Sequence, residues 1–274
     1  MIKSKIALCI GINNFKNYPD AKLNGCINDA TNMKNMLEKC YGFSNIILLT
    51  DKKATKANII KNLNNVISDA LSYKYSHIVF SFSSHGTQIF DNNKDESDGL
   101  DEAFCTYDLI ETNNDWDKNH ILLDDELHEA FDHLPSGVRV EIFLDTCHSG
   151  TGIRSIDRLL TRKLKYIPPI SLKMFNKLDN KTPNGYIKKF KALDANNQIL
   201  WASCKNNQTS ADAYINNSWN GAFTYYLYNE IMNNKTIKRS DLLKKIKSNL
   251  KLGQYSQIPQ LECVSSLGKE SVLF

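Results

Sequence analysis

Short runs of β-branched and other apolar residues alternate along this chain with segments whose apolar positions recur every three or four residues. The run "KIALCIGIN" predicts a first strand. "INDATNMKNMLEKCYG" follows as a helix, with Ala30, Met33, Met36 and Leu37 on one face and Gly42 just past its end. "NIILLTD" is a second strand and "ATKANIIKNLNNVISDAL" a second amphipathic helix. "HIVFSFSSHG" is a third strand that runs into a polar turn at residues 83–86. "DDELHEAFDHL" is a short helix and "VRVEIFLDTCHSG" a fourth strand. "QILWASC" predicts a fifth strand, "NGAFTYYLYNEIM" and "SDLLKKIKSNL" two more helices, and "QLECVSS" a strand that closes the sheet. The alternation predicts an α/β fold, with a mainly parallel sheet of about six strands covered by helices.

Two segments fall outside this pattern. Residues 87–120 read as an acidic loop with "DNNKDESDGLDE" at its centre, and residues 151–195 are rich in Lys and Arg, carry Pro168 and Pro169, and show little periodicity. Loops of that length are usually functional or disordered. No internal repeat or composition boundary divides the chain, so residues 1–274 are expected to form one domain.

Composition narrows the function classes. With 42% hydrophobic and 23% charged residues the chain is ordinary globular material, and its net charge of +4 comes from Lys dispersed among Asn and Asp. Nucleic-acid binding is therefore not indicated. Seven Cys without regular spacing, several of them inside apolar runs, point to a reducing compartment. The apolar run at residues 6–12 is too short for a membrane span and is followed by no small-residue cleavage site. A soluble cytoplasmic protein without membrane or nucleic-acid partners is expected.

The candidate chemistry lies in "DTCHSGTGIRS", residues 145–155. A Cys, a glycine-containing turn and an Arg suggest a phosphate-binding nest, but that loop needs five residues between Cys and Arg. Residues 148–153 make six, and Thr146 stands where the phosphatase pattern has His. A cysteine protease needs a base near its thiol. Ligands gather beyond the carboxyl ends of parallel strands. His85 follows the third strand and Cys147 the fourth, so neighbouring strands would bring imidazole and thiol to one rim. Gly86 and Gly150 permit close backbone approach, and the N–H groups of Gly86 and Cys147 are candidates to hold an oxyanion.

"SFSSHGTQ" together with "FLDTCHSG" resembles the His and Cys motifs of metacaspases, the caspase-like cysteine peptidases. "ALCIGINNF", "LNGCINDATNM", "DESDGLDEAF", "ILLDDEL", "SCKNNQTSADA", "NGAFTYYL" and "QIPQL" extend the resemblance over nearly the whole chain in the family's order. It implies a caspase-like three-layer sandwich, with residues 1–150 as the large-subunit-like part, 151–195 as a basic linker and 196–274 as the small-subunit-like part. It implies that His85 is the general base and Cys147 the nucleophile, and that Cys26, Asp29, Ser83 and Asp145 form the specificity pocket. Two carboxylates at the base of a pocket pair with Arg or Lys, so cleavage of protein or peptide substrates after those residues is expected. Ser210, Asp212 and Trp219 correspond to loops that line the substrate cleft, with simple loop packing as the alternative. Trp201 reads as core.

The resemblance further implies calcium as an activator, not needed for the chemistry itself, bound by Asp101, Asp124 and Asp125. The acidic loop fails the EF-hand template, and Arg154 stands where the family places a further Asp, which opposes cation binding. Asp124 and Asp125 equally suit a helix N-terminus. The basic linker is a candidate self-processing segment, with a solvated loop as the alternative. Control by a separately encoded activator and a monomeric state complete the expectations, and a non-catalytic caspase-like scaffold is the alternative function.

Overall fold

The computed structural model describes residues 4–90, 100–147, 162–170, 197–205 and 207–273. Its centre is a sheet built from β1 (Lys5–Gly11), β2 (Asn45–Thr50), β3 (His77–Ser83), β7 (Arg139–Asp145), β9 (Gln198–Ala202) and β12 (Gln260–Glu262). The six strands lie in the order β12-β9-β7-β3-β1-β2. All neighbours are parallel except β12, which closes the edge against β9 in the antiparallel sense.

Strand alternation divides the core between the two faces of this sheet. Ile6, Leu8 and Ile10 face one layer with Ile59, Leu63 and Val66 of α2 (Lys56–Leu71) and Leu127 and Phe131 of α3 (Asp124–Asp132). Ala7 and Cys9 face the other. There they meet Met33 and Leu37 of α1 (Cys26–Tyr41), Phe223 and Leu227 of α4 (Ala222–Asn233), and Leu242 and Ile246 of α5 (Arg239–Leu252). The three-layer sandwich follows directly. Local signals set the helix ends: the Thr55 side chain accepts the Asn58 N–H at the start of α2, and Gly42 takes φ 67° past the end of α1.

Where the sequence suggested loops, the structure has two small antiparallel sheets. β4 (Gly86–Phe90), β5 (Leu100–Cys105) and β6 (Ile121–Leu123) form one, with most of β4 and all of β5 within residues 87–120, the segment expected to be loop-like. Their signal is weak because Gln88, Asp101 and Glu102 are buried alongside the apolar residues, which hides the alternation. The other joins β8 (Lys163–Leu164), β10 (Ala211–Ile215) and β11 (Ser218–Gly221). Asn216 and Asn217 make the turn between β10 and β11 with φ of 47° and 63°, the left-handed pair that a tight hairpin requires. Helix α4 therefore begins at Ala222, and Asn220 and Gly221 belong to β11, not to the helix. Of the basic segment, Lys163 and Leu164 form strand β8.

Candidate active site

The strand register assembles the site. Gly11, Ser83 and Asp145 are direct partners across β1, β3 and β7, so the carboxyl ends of three parallel strands finish level. His85 and Cys147 each stand two residues beyond these ends. Gly11 also lets α1 approach, since a Cβ there would collide with the Cys26 carbonyl. The Asn13 side-chain oxygen accepts the Cys26 N–H at 2.8 Å, which caps α1 and presents its first turn to the same rim.

Asp29, from that first turn, and Asp145 are both almost fully buried. Asp29 accepts hydrogen bonds from the Ser83 hydroxyl at 2.7 Å and the Gly221 N–H at 2.8 Å. Asp145 accepts from the Ser210 hydroxyl at 2.7 Å and the Thr224 hydroxyl at 2.7 Å. Between the two carboxylates sits the ammonium of Lys165. Its Nζ lies 3.0 Å from Asp29, 3.1 Å from Asp145 and 2.9 Å from the Ser83 hydroxyl, in a pocket that leaves no surface of the residue exposed. Burial pulls the Lys165 pKa down, but the carboxylates of Asp145 and Asp29 outweigh it and hold the ammonium well above its ordinary value. Burial pushes Asp29 up, against the opposing effect of Lys165.

The backbone of Lys165 is held as closely as its side chain. Its carbonyl accepts from the Gly86 N–H at 3.0 Å, from the Cys147 N–H at 3.4 Å and from the Cys147 thiol at 2.9 Å. Its N–H donates to the Ser210 carbonyl at 3.0 Å, and Ile167 N–H donates to the Gly86 carbonyl at 3.0 Å. Residues 163–164 continue as β8, antiparallel to β10. An extended peptide thus crosses the rim, with one carbonyl directed at the thiol and two backbone N–H groups.

His85 is 5% exposed and packs against Phe15, with ring centroids 5.2 Å apart. The turn that carries it is fixed by Cys105 N–H donating to the His85 carbonyl and by the Ser84 hydroxyl donating to the Cys105 carbonyl. His85 Nε2 lies 2.7 Å from the Ala21 carbonyl, which can only accept, so Nε2 carries the proton and Nδ1 is a buried base without a hydrogen-bond partner. Burial lowers the imidazole pKa to about 4 and raises the Cys147 thiol to about 12. In this state the pair is a neutral imidazole and a thiol.

The other expected site residues are distributed as follows. Cys26 is buried beside the pocket, and burial raises its thiol pKa. Ser210 touches the bound segment through its carbonyl and Asp145 through its hydroxyl. Asp212 is buried and accepts the Asn24 N–H at 2.7 Å, supporting the loop before α1, while its backbone pairs with Lys163. Trp219 is half-buried and gives its carbonyl to Asn28, whereas Trp201 is fully buried and donates to Glu141. Asp101 and Asp124 are buried and Asp125 half-buried. Among the described residues no group of three or more His, Cys, Asp or Glu side chains is arranged to hold a metal ion. Arg154 and the centre of the acidic loop lie outside the described residues. No helix among the described residues is long and apolar enough to cross a membrane.

Sequence reasoning missed three residues here. Lys165 was one of many basic residues in the linker, and nothing local distinguished it. Gly221 and Thr224 were hidden at the junction of β11 and α4.

A thiol and an imidazole at adjacent parallel strand ends, with a caspase-like sandwich beneath them, define the class of the protein. A family model described as metacaspase, peptidase C14 domain, matches residues 5–157. Metacaspase-1A of Aspergillus oryzae is 30% identical over 96% of this chain and 68% of its own length. Metacaspase-1 of Pyricularia oryzae is 30% identical over 98% of this chain and 74% of its own. A crystal structure of a Geobacter sulfurreducens protein superposes with a TM-score of 0.69 at 25% identity, covering 98% of each chain. Caspase-1 of Spodoptera frugiperda shares the fold at 14% identity, with a TM-score of 0.60 over 95% of this chain and 86% of that one. The chain belongs to the metacaspase family of C14 cysteine peptidases.

Proposed function

We propose that this chain is a cysteine endopeptidase that cleaves after Lys or Arg, and that its own Lys165–Tyr166 bond is a processing site. One observation carries the reading: the Lys165 ammonium is held by Asp29, Asp145 and Ser83 while its carbonyl meets the Gly86 and Cys147 N–H groups and the Cys147 thiol. The linker occupies the cleft as a substrate would, which also makes it a barrier to other substrates until it is cut.

In the proposed reaction the Cys147 sulfur attacks the Lys165 carbonyl carbon, and its proton passes to the bare Nδ1 of His85. The developing oxyanion is stabilised by the Gly86 and Cys147 N–H groups. As the C–N bond breaks, His85 returns the proton to the Tyr166 amine, leaving a Lys165 thioester. Water then adds to the thioester carbonyl and gives a proton to His85. The C–S bond breaks as His85 returns its proton to the sulfur, and the Lys165 carboxylic acid departs, losing its remaining proton to solvent. No cofactor is needed for these steps.

The test is intact-mass analysis of purified protein over time. New termini at Lys165 and Tyr166 are expected in the wild type and absent in Cys147→Ala and His85→Ala. Lys165→Arg should retain this cleavage, because two carboxylates accept a guanidinium as well as an ammonium, whereas Lys165→Ala should lose it. Cleavage at the same bond in Cys147→Ala, or undiminished cleavage in Lys165→Ala, would overturn the assignment.

A further inference from the structure

The same inserted strand reports on a contact made by the fourth residue before the bond. Counting back from the proposed cleavage point, Lys165 is the first residue, Leu164 the second, Lys163 the third and Arg162 the fourth. The Arg162 guanidinium donates from Nη2 to the Gly253 carbonyl at 2.7 Å and from Nη1 to the Gln254 carbonyl at 2.8 Å. It also lies over the Tyr255 ring, 3.8 Å from its centroid.

This receptor is built by the end of α5. Helix carbonyls at a C-terminus carry partial negative charge and lack intrahelical donors. Gly253 caps the helix through its N–H to the Asn249 carbonyl, and Gln254 then takes φ 58°, in the left-handed region. That turn is held by Gln254 N–H to Lys251 and Tyr255 N–H to Leu250, at 3.0 and 2.9 Å. Gly253 has no side chain because the Tyr255 ring takes the space: a Cβ there would stand 2.7 Å from Tyr255 Cε2 and 2.9 Å from the Tyr226 hydroxyl. Tyr226 supports the Tyr255 ring edge-on, and Tyr225 in turn supports Tyr226. Two outward carbonyls and a braced aromatic face match a planar guanidinium, which stacks on the ring while its in-plane N–H groups reach both carbonyls. By contrast the third-position Lys163 is exposed and reaches a single carbonyl, that of Lys22.

We infer that Gly253, Gln254 and Tyr255 form an arginine subsite for the fourth residue before the cleaved bond, so that the enzyme prefers substrates of the form Arg-x-x-Lys. This rests on the proposed cleavage after Lys165. The experiment uses the parent chain after self-cleavage at Lys165 has gone to completion by intact mass, and the same chain with Tyr255→Ala or Tyr255→Phe added, likewise processed. Acylated fluorogenic tetrapeptides Arg-Ala-Leu-Lys, Lys-Ala-Leu-Lys and Ala-Ala-Leu-Lys are compared by kcat/KM. The Arg peptide is expected to exceed the Ala peptide by about tenfold or more, with the Lys peptide well below the Arg one. Tyr255→Ala should bring that ratio towards one and Tyr255→Phe should keep it. Equal rates on all three peptides would overturn the subsite while leaving cleavage after Lys intact. An Arg preference that survives Tyr255→Ala would overturn the role of the ring. Failure to cut any of the three would overturn the cleavage reading and the subsite with it.

Discussion

His85 shows how far burial alone moves a residue's chemistry. Its Nε2 is committed to the Ala21 carbonyl and its ring is shut between the sheet rim and Phe15, so protonation has to place a charge where no carboxylate among the described residues is paired with it. The folded pKa of about 4 lies below the value of about 6.5 expected in an unfolded chain. Between those values the unfolded chain binds a proton that the folded chain does not, so His85 makes the protein less stable as pH falls through that window. In a Cys147→Ala background, which prevents self-cleavage, replacing His85 with Gln should remove this part of the acid sensitivity. The loss of stability from pH 7 to pH 5, from urea midpoints, should be smaller in His85→Gln by about 2 kcal/mol. Equal losses in parent and variant would mean that the imidazole is not held neutral by burial.

At the level of elements, the central sheet and its helices were legible in the sequence because each strand is a continuous apolar run and each helix has a clean stripe. The parallel arrangement also put His85 and Cys147 just past the ends of neighbouring strands, which is where the structure has them. Elements built from polar residues escaped. β5 carries Asp101 and Glu102 inward, and the β10–β11 hairpin is short, with an Asn-Asn turn. That hairpin matters because its last residue, Gly221, forms a wall of the pocket. A side chain there would enter the space of Asp145, Asp29 and the Lys165 ammonium. Gly221→Ala is therefore expected to displace Lys165, slow self-cleavage at least tenfold, and destabilise the chain by about 1–3 kcal/mol through overpacking. Self-cleavage at the parent rate would show that the wall can yield and that the pocket is less tightly defined than this packing requires.

Across the whole molecule, Lys165 joins parts of the chain that are far apart in sequence: α1 through Asp29, the end of β3 through Ser83, the end of β7 through Asp145, and the residue just before β10 through the Ser210 carbonyl. This is why no local signal marked it. Its role depends on where the linker crosses the rim, which only the assembled sheet decides. The same position makes it a stability determinant in the uncut chain. Removing the ammonium leaves two carboxylates buried without their cation, a change that costs about 3–5 kcal/mol when one partner of a buried pair is deleted. Burial already raises Asp29, and loss of Lys165 removes the main opposing influence, so its folded pKa should climb further above the unfolded one. A group with a raised folded pKa takes up a proton in the folded state first, and stability is gained as pH falls through that value. In the Cys147→Ala background, Lys165→Ala should therefore lower the urea midpoint strongly at pH 8, and the gap from the parent should narrow at pH 5 as a proton substitutes for the ammonium. A gap that stays constant with pH would place the lost stability in packing of the side chain and not in the uncompensated carboxylates.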